Sequence, residues 1–365
     1  YYTAKVRSYL RKKAIPFVER LPSDPTFRDT VRPTSGSHRI PQLLTPEGEV
    51  IQDSVSIVDH LEAKFPTLPA FPDGPRQRTF VHLMELLGSE GLVRLAWMHR
   101  WMFAANDPFV KMDFGRSFRP QGNDQELLKY GDLIAERMTS YGLPESTVEV
   151  RAELDRQYLQ LLSLFEDRLE QHPYFLGGHP SAADYAVMGA MHAHLGRDPA
   201  GLRMMQDHAP RTFRWVEHMI VPEVQSPEFA STEITYPDED QIPDSSLALL
   251  TFMDSEYGEP FVLDALAFNQ AMAEVNAASG YELAPDADQP TLPAQHIEYR
   301  GSTRKQSARV YPVWLIQRSQ AHFQSQSSDV QKSILKLFKG THAEELLKSP
   351  LSYSIARINN RFVIN

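Results

Sequence analysis

An α/β unit followed by an all-α unit and a further, mainly helical C-terminal segment is the fold class that this 365-residue sequence predicts. Three observations carry the prediction. Elements follow the order helix, strand, hairpin, helix over about the first 70 residues. Helical periodicity then runs from about 77 to 221 with no competing strand signal. New helical patterns return after the acidic, proline-punctuated stretch at 236–244. A chain of this length exceeds one comfortable core, so packed units are expected over 1–70, 76–225 and 226–365.

In order along the chain, Val6, Tyr9 and Leu10 stand at i, i+3 and i+4 among Lys5, Arg7, Arg11 and Lys12, which predicts a one-sided helix over Tyr2 to Lys13. Ile15-Pro16-Phe17-Val18 reads as a short strand. Gln42-Leu43-Leu44 and Val50-Ile51 flank the turn signal Thr45-Pro46-Glu47-Gly48-Glu49, a hairpin. Asp53 and Ser54 suit the cap of a helix in which Ile57, Val58, Leu61 and Phe65 repeat before Pro66. Helices are then predicted at 77–104, 124–141, 148–171, 181–195 and 210–219, and beyond the acidic stretch near 259–279, 306–325 and 328–348. A loop with three prolines is expected at 284–296.

Hydrophobic residues at 42% and charged residues at 23% fit a globular chain with a sizeable core. A net charge of -10 and a pI near 5.7 argue against nucleic acid as a partner, since phosphate contacts need clustered Lys and Arg. There is no cysteine, so any reactive thiol must arrive on a ligand and no thiolate metal site can form. His192 and His194, two apart on a helix, point different ways and read as packing residues, so no metal is expected. No apolar run of about 18 residues and no leader pattern is visible, which makes the cytoplasm the default and a membrane partner unexpected. The first residue is Tyr1 with no initiator Met, and helix begins at once, so an N-terminal piece is expected outside these residues.

Tyr2-Thr3-Ala4-Lys5-Val6-Arg7-Ser8-Tyr9-Leu10 followed by Ala14-Ile15-Pro16-Phe17 resembles the first helix and second strand of cytosolic glutathione S-transferases. His38-Arg39-Ile40-Pro41-Gln42-Leu43 resembles the segment with that superfamily's cis proline, and Gln52-Asp53-Ser54-Val55-Ser56-Ile57 its acidic-residue-plus-Ser motif. About 120 residues on, Phe175-Leu176-Gly177-Gly178-His179-Pro180-Ser181-Ala182-Ala183-Asp184 resembles the capping box of its helical domain. The resemblance covers roughly 1–225. It implies a thioredoxin-like glutathione-binding domain with its first strand missing from the chain, then the transferase-type helical domain, with an extra C-terminal helical segment of open role.

That resemblance also implies a site. The backbone of Ile40, before a cis Pro41, would pair with the cysteinyl unit of glutathione, although an isolated Ile-Pro is also a plain strand start. Asp53 and Ser54 at a helix start would take the γ-glutamyl end, Ser54 and the free N–H groups its carboxylate and Asp53 its ammonium; both also serve as ordinary caps. His38 or Arg39 either meets the glycyl carboxylate or is a solvated loop charge. Ser181 and Asp184 form a structural capping box rather than a catalytic pair. Trp97, His99, Trp101 and Phe103 either line an apolar co-substrate pocket or belong to the core.

With a thiol pKa near 8.5, only a few per cent of glutathione is thiolate at neutral pH, so a donor aimed at sulfur is needed. The superfamily's usual Ser or Cys position aligns just before Tyr1, leaving Tyr1, Tyr2 and Thr3 as fallback donors. The implied activity is a cytoplasmic, detoxifying transferase that uses glutathione as co-substrate and joins its thiolate to an electrophilic, largely apolar small molecule. A homodimer is allowed. The alternatives are a noncatalytic scaffold of the same fold, or a glutathione-dependent reductase or lyase if Cys precedes Tyr1. The run Arg309 to Ile316 either packs on the helical domain or caps its cleft.

Overall fold

The computed structural model describes residues 1–283 and 291–365. Helix α1 (Tyr2–Lys12) buries Ala4, Val6, Tyr9 and Leu10, and carries Arg11 and Lys12 in its last turn, where cations offset the exposed carbonyls. Residues 15–18 do not form the expected strand. No strand runs beside them among the described residues and Val18 is 79% exposed, so their backbone has no ladder to join. A π-helical turn at Phe27–Val31 enters the single-turn α2 (Arg32–Ser35). The hairpin follows as read: β1 (Gln42–Leu44) pairs antiparallel with β2 (Val50–Gln52), Leu43 opposite Ile51, and α3 (Ser54–Lys64) begins two residues on.

The run read as one helix at 77–104 is two, α4 (Pro75–Leu86) and α5 (Leu92–Met102), joined by a π-helical turn at Leu87–Gly91. The chain continues through α6 (Asp107–Phe118), α7 (Asp124–Thr139), α8 (Val148–Leu169), α9 (Ala182–Ala190), α10 (Pro199–His208) and α11 (Pro210–His218). Helices α6 and α10 escape a reading of the sequence because Pro108 and Pro199 resemble breakers; each lies in a first turn, where no N–H is needed. The capping box at α9 is formed, with the buried Asp184 carboxylate accepting from Ser181 N at 2.8 Å, Ser181 Oγ at 2.9 Å and Phe175 N at 2.9 Å.

Beyond residue 226 the segment is mainly helical but carries two hairpins that helical periodicity did not reveal. Helices α12 (Asp244–Tyr257) and α13 (Glu259–Glu274) come first, α12 unread and α13 ending short of the expected 279. Of the expected loop at 284–296, residues 284–290 lie outside the described residues, and Gln295 opens β3 (Gln295–Tyr299), paired with β4 (Ser302–Gln306). The helix expected from 306 is α14 (Val310–Gln324), and the one expected over 328–348 is two, α15 (Ser328–Leu337) and α16 (His342–Lys348), parted at Gly340 with φ +82°. The chain closes with β5 (Ile355–Ile358) and β6 (Arg361–Ile364).

One buried cluster runs from Ala4 to Ile364, so the C-terminal segment shares the core of the units before it. Helix α12 packs on α8, and α14 on α4. The acidic stretch serves the fold directly, because the Asp240 carboxylate accepts from Arg76 N at 2.7 Å and Gln77 N at 2.8 Å and so caps α4 from 163 residues away in sequence. Four charges then fasten α14 to the first two units. Lys5 Nζ meets Glu85 Oε1 at 2.6 Å, Arg318 Nε lies 3.7 Å from Glu85 Oε2, and Arg318 forks onto Asp59 at 2.5 and 2.9 Å. Burial pushes Glu85 up, but Lys5 and Arg318 outweigh it and hold the carboxyl below its ordinary range. Removing the shared cation strands Asp59 and leaves the fully buried Glu85 with Lys5 alone. We expect Arg318→Ala to lower the unfolding free energy by about 3 kcal/mol in a urea titration, well beyond an exposed ion pair.

Candidate functional site

Asp53 is the pivot of the site. It precedes α3 with φ +79° and ψ 155°, a backbone conformation close to a region populated almost only by glycine, and the residue is 6% exposed. Its N–H donates to Pro41 O at 3.2 Å, tying it to the Ile40–Pro41 peptide, which is cis. As the sequence expects, the carboxylate caps α3: Oδ1 accepts from Val55 N at 2.7 Å and Ser56 N at 3.2 Å, and Oδ2 from Ser56 Oγ at 2.6 Å.

The C-terminal segment supplies the remaining partners. The Tyr311 hydroxyl, in the first turn of α14, donates to Oδ1 at 3.1 Å, and Arg357 Nη1 from β5 makes an ion pair with Oδ2. Where the sequence puts a ligand ammonium beside Asp53, the folded chain thus puts its own guanidinium. Arg357 is held in turn by Gln52 Oε1 at 2.6 Å, by Asn360 O at 3.0 Å, and by the rings of Phe362 and Trp314 at 4.5 and 5.6 Å from its central carbon. Asn360 docks the hairpin turn on β2, accepting from Gln52 N at 3.0 Å.

Around this junction lies a cavity of about 520 Å³, within the usual range for small-molecule sites. Its first wall is Ser35 to Ser37, Arg39, Ile40, Pro41 and Gln52 to Ser54. Tyr2 and Glu90 form the second, and the C-terminal segment closes it with Leu283, Arg309, Tyr311, Pro312, Arg357 and Phe362 among others. Ser54 is 1% exposed, lines the cavity, and its hydroxyl has no hydrogen-bond partner among the described residues. An orphan hydroxyl at the start of an 11-residue helix, at the positive end of its dipole, is suited to a carboxylate even though Val55 N and Ser56 N are already taken by Asp53.

The other expected site residues divide sharply. Arg39, Ile40 and Pro41 line the cavity, whereas His38 is exposed outside its lining. Of the three fallback donors only Tyr2 reaches it. The Tyr1 hydroxyl donates to Gly88 O at 3.0 Å, and neither Tyr1 nor Thr3 is in the lining. Burial and the neighbouring Glu90, to which the hydroxyl is hydrogen-bonded, push the Tyr2 phenol well above 10, so it stays protonated. Trp97 donates to Met138 O at 3.1 Å, His99 stacks on Phe103 at 4.3 Å and Trp101 on Phe114 at 6.0 Å; all lie outside the cavity, with His99 buried, Trp97 and Phe103 packed on the core, and Trp101 half-buried apart from it. His194 is buried against Tyr1, and no cluster of three or more metal-ligating side chains occurs among the described residues. No helix among them is long and apolar enough to cross a membrane.

Reading the sequence missed Glu90 and Arg357. Glu90 rides the π-helical turn between α4 and α5, a kind of local widening that recurs at functional sites, and is hidden by the helical periodicity around it. Burial pushes its carboxyl up to about 7, with Arg309 pulling the other way, and Oε1 lacks a partner among the described residues. Arg357 was legible in principle. Ile355-Ala-Arg-Ile-Asn-Asn-Arg-Phe-Val-Ile364 alternates around an Asn-Asn pair whose φ values, +50° and +64°, are those of a two-residue hairpin turn.

Residues 1–72 match the family model of the glutathione S-transferase N-terminal domain, and residues 133–221 that of the glutathione S-transferase C-terminal domain. A solved glutathione S-transferase from Methylobacterium radiotolerans, in complex with glutathione sulfonate, is 21% identical, with 67% of this chain and 93% of that chain covered and a TM-score of 0.34. No curated protein matches.

The state of Glu90 sets a pH dependence. Between its ordinary 4.5 and about 7 the folded chain keeps a proton that the unfolded chain has released. The stability this confers is present in full below about 4.5 and is lost as pH rises to 7. Relative to Glu90→Gln, the native protein should lose up to about 3 kcal/mol of unfolding free energy between pH 4.5 and 7.5, read from urea midpoints at each pH. Parallel profiles would mean that folding leaves the ionisation of Glu90 unchanged.

Proposed function

We propose that this chain, which belongs to the glutathione S-transferase superfamily, binds glutathione in the cavity between Ser54 and the C-terminal segment and joins its thiolate to an electrophilic, largely apolar small molecule. The observation that carries the reading is the buried, unpartnered Ser54 hydroxyl, facing a cavity of suitable size at the first turn of α3. A buried donor without a partner costs stability unless a ligand completes it. The γ-glutamyl carboxylate would meet Ser54, the cysteinyl backbone would run past Ile40, and Arg39 would stand near the glycyl carboxylate. The thiol is then directed toward Tyr2, whose neutral phenol would turn its one O–H from Glu90 to the sulfur and so favour thiolate over thiol. Leu283, Pro312 and Phe362 offer the co-substrate an apolar wall that the helical units alone do not supply.

A second reading, a noncatalytic relative whose cleft is covered by its own C-terminal segment, is favoured by the ion pair that Arg357 makes with Asp53. Calorimetric titration separates the two. Saturable glutathione binding, weakened tenfold or more by Ser54→Ala, is expected, since a hydrogen bond to a charged group contributes about 1.5–3 kcal/mol. No saturation up to about 10 mM, below the millimolar scale of about 4 kcal/mol, would leave the scaffold. For the chemistry, Tyr2→Phe should lower the rate of conjugation to an activated aryl halide by roughly ten- to a hundredfold with glutathione affinity unchanged, the signature of a donor that acts on the developing thiolate. An unaltered rate would remove Tyr2 from the reaction.

A further inference from the structure

We propose that Arg357 of the C-terminal hairpin reads the α-carboxylate of the γ-glutamyl group together with Ser54, and that the site makes no demand on the ligand's α-ammonium. The inference rests on the reading of the cavity as a glutathione site and names which groups of the ligand that site recognises.

The first ground is the saturation of Asp53. Two carboxylate oxygens offer about four lone-pair directions. Here Oδ1 accepts from Val55 N, Ser56 N and Tyr311 Oη, and Oδ2 from Ser56 Oγ and Arg357 Nη1. An arriving ammonium finds no vacant position there, and displacing Arg357 would break the ion pair that joins the hairpin to Asp53. The other acids of the lining are no substitute. Glu282 is joined to Arg361 at 2.5 Å, and Glu90 stands beside Tyr2, at the thiol end of the ligand.

The second ground is what Arg357 has left to give. Of its five N–H groups, Nη2 uses two on Gln52 Oε1 and Asn360 O, and Nη1 uses one on Asp53; Nε and the second Nη1 hydrogen have no partner among the described residues. The side chain is 10% exposed and lines the same cavity as the unpartnered Ser54 hydroxyl. Spare guanidinium donors and an orphan hydroxyl at the positive end of α3 together make a carboxylate site, while Arg309 and Arg361 in the same lining are paired with Asp264 and Glu282. The pair with Asp53 therefore does more than close the cleft. It converts a site suited to a zwitterion into one suited to an anion, and the ligand class widens to γ-glutamyl-like thiols whose α-nitrogen is acylated or absent.

The test compares glutathione with glutaryl-cysteinyl-glycine, the same peptide without its α-amine, by calorimetric titration of the unmodified protein. We expect the analogue to bind less than tenfold more weakly than glutathione. A loss of tenfold or more would show that the ammonium is read and would overturn the inference while leaving glutathione binding intact. Absence of saturation with both ligands would remove the glutathione reading and this inference with it. Arg357→Lys provides a second arm that keeps a cation on Asp53, and hence the junction, but gives up the planar fork. It should weaken both ligands by the same factor, threefold or more; unchanged affinity, or a loss confined to one ligand, would overturn the role of Arg357.

Discussion

The meeting of Asp53 and Arg357 is the constraint on which the rest of this structure turns. Asp53 occupies a backbone conformation that a side chain rarely adopts, and such a residue persists only where its surroundings over-determine it. Here they do so from both ends of the chain: the α3 N–H groups and Ser56 from one side, Tyr311 and Arg357 from the other. Remove the second set and a buried carboxylate beside a strained peptide loses its counter-charge. The C-terminal segment is accordingly part of the N-terminal unit's architecture.

The same junction explains how a site is made from residues about 300 positions apart. Hairpin β5–β6 is two short strands, marginal by itself, yet Asn360 bonds β2 and Arg357 is sandwiched by Phe362 and Trp314. Behind it, Arg318 of α14 reaches Asp59 of α3 and Glu85 of α4, so the element that carries Tyr311 cannot shift without disturbing buried charge. Two layers of ion pairing, one at the cavity and one beneath it, give the roof a fixed position over Ser54. The C-terminal segment in this way gives the cleft a third wall, and with it a partly apolar lining that also carries guanidinium groups.

Much of the fold was legible because it depends on local chemistry. The 42–52 hairpin follows from a turn signal between two apolar runs, α3 from a cap and a repeat, and α9 from Ser181 and Asp184 three apart. What failed has equally specific reasons. The strand at 15–18 needs a neighbouring strand that its own residues cannot specify. The helices opening at Asp107 and Pro199 carry proline where it looks like a break and acts as a start. Glu90 was invisible because one wide turn inside a helical run changes which face a residue presents without changing the pattern of hydrophobic residues.

By itself, then, the sequence determined the kinds of element, the caps that begin them, the absence of any thiol of its own, and the motif residues around Ile40, Pro41, Asp53 and Ser54, because each depends on neighbours within a few positions. Only the tertiary structure decided what those residues face. That Asp53 meets a guanidinium, that Ser54 is left without a partner among the described residues, that Tyr2 rather than Tyr1 or Thr3 reaches the cavity, and that the C-terminal segment forms one of its walls are all outcomes of long-range packing. The physical reason is that hydrogen-bond saturation and burial depend on everything that surrounds a group, and half of what surrounds Asp53 arrives from the opposite end of the chain.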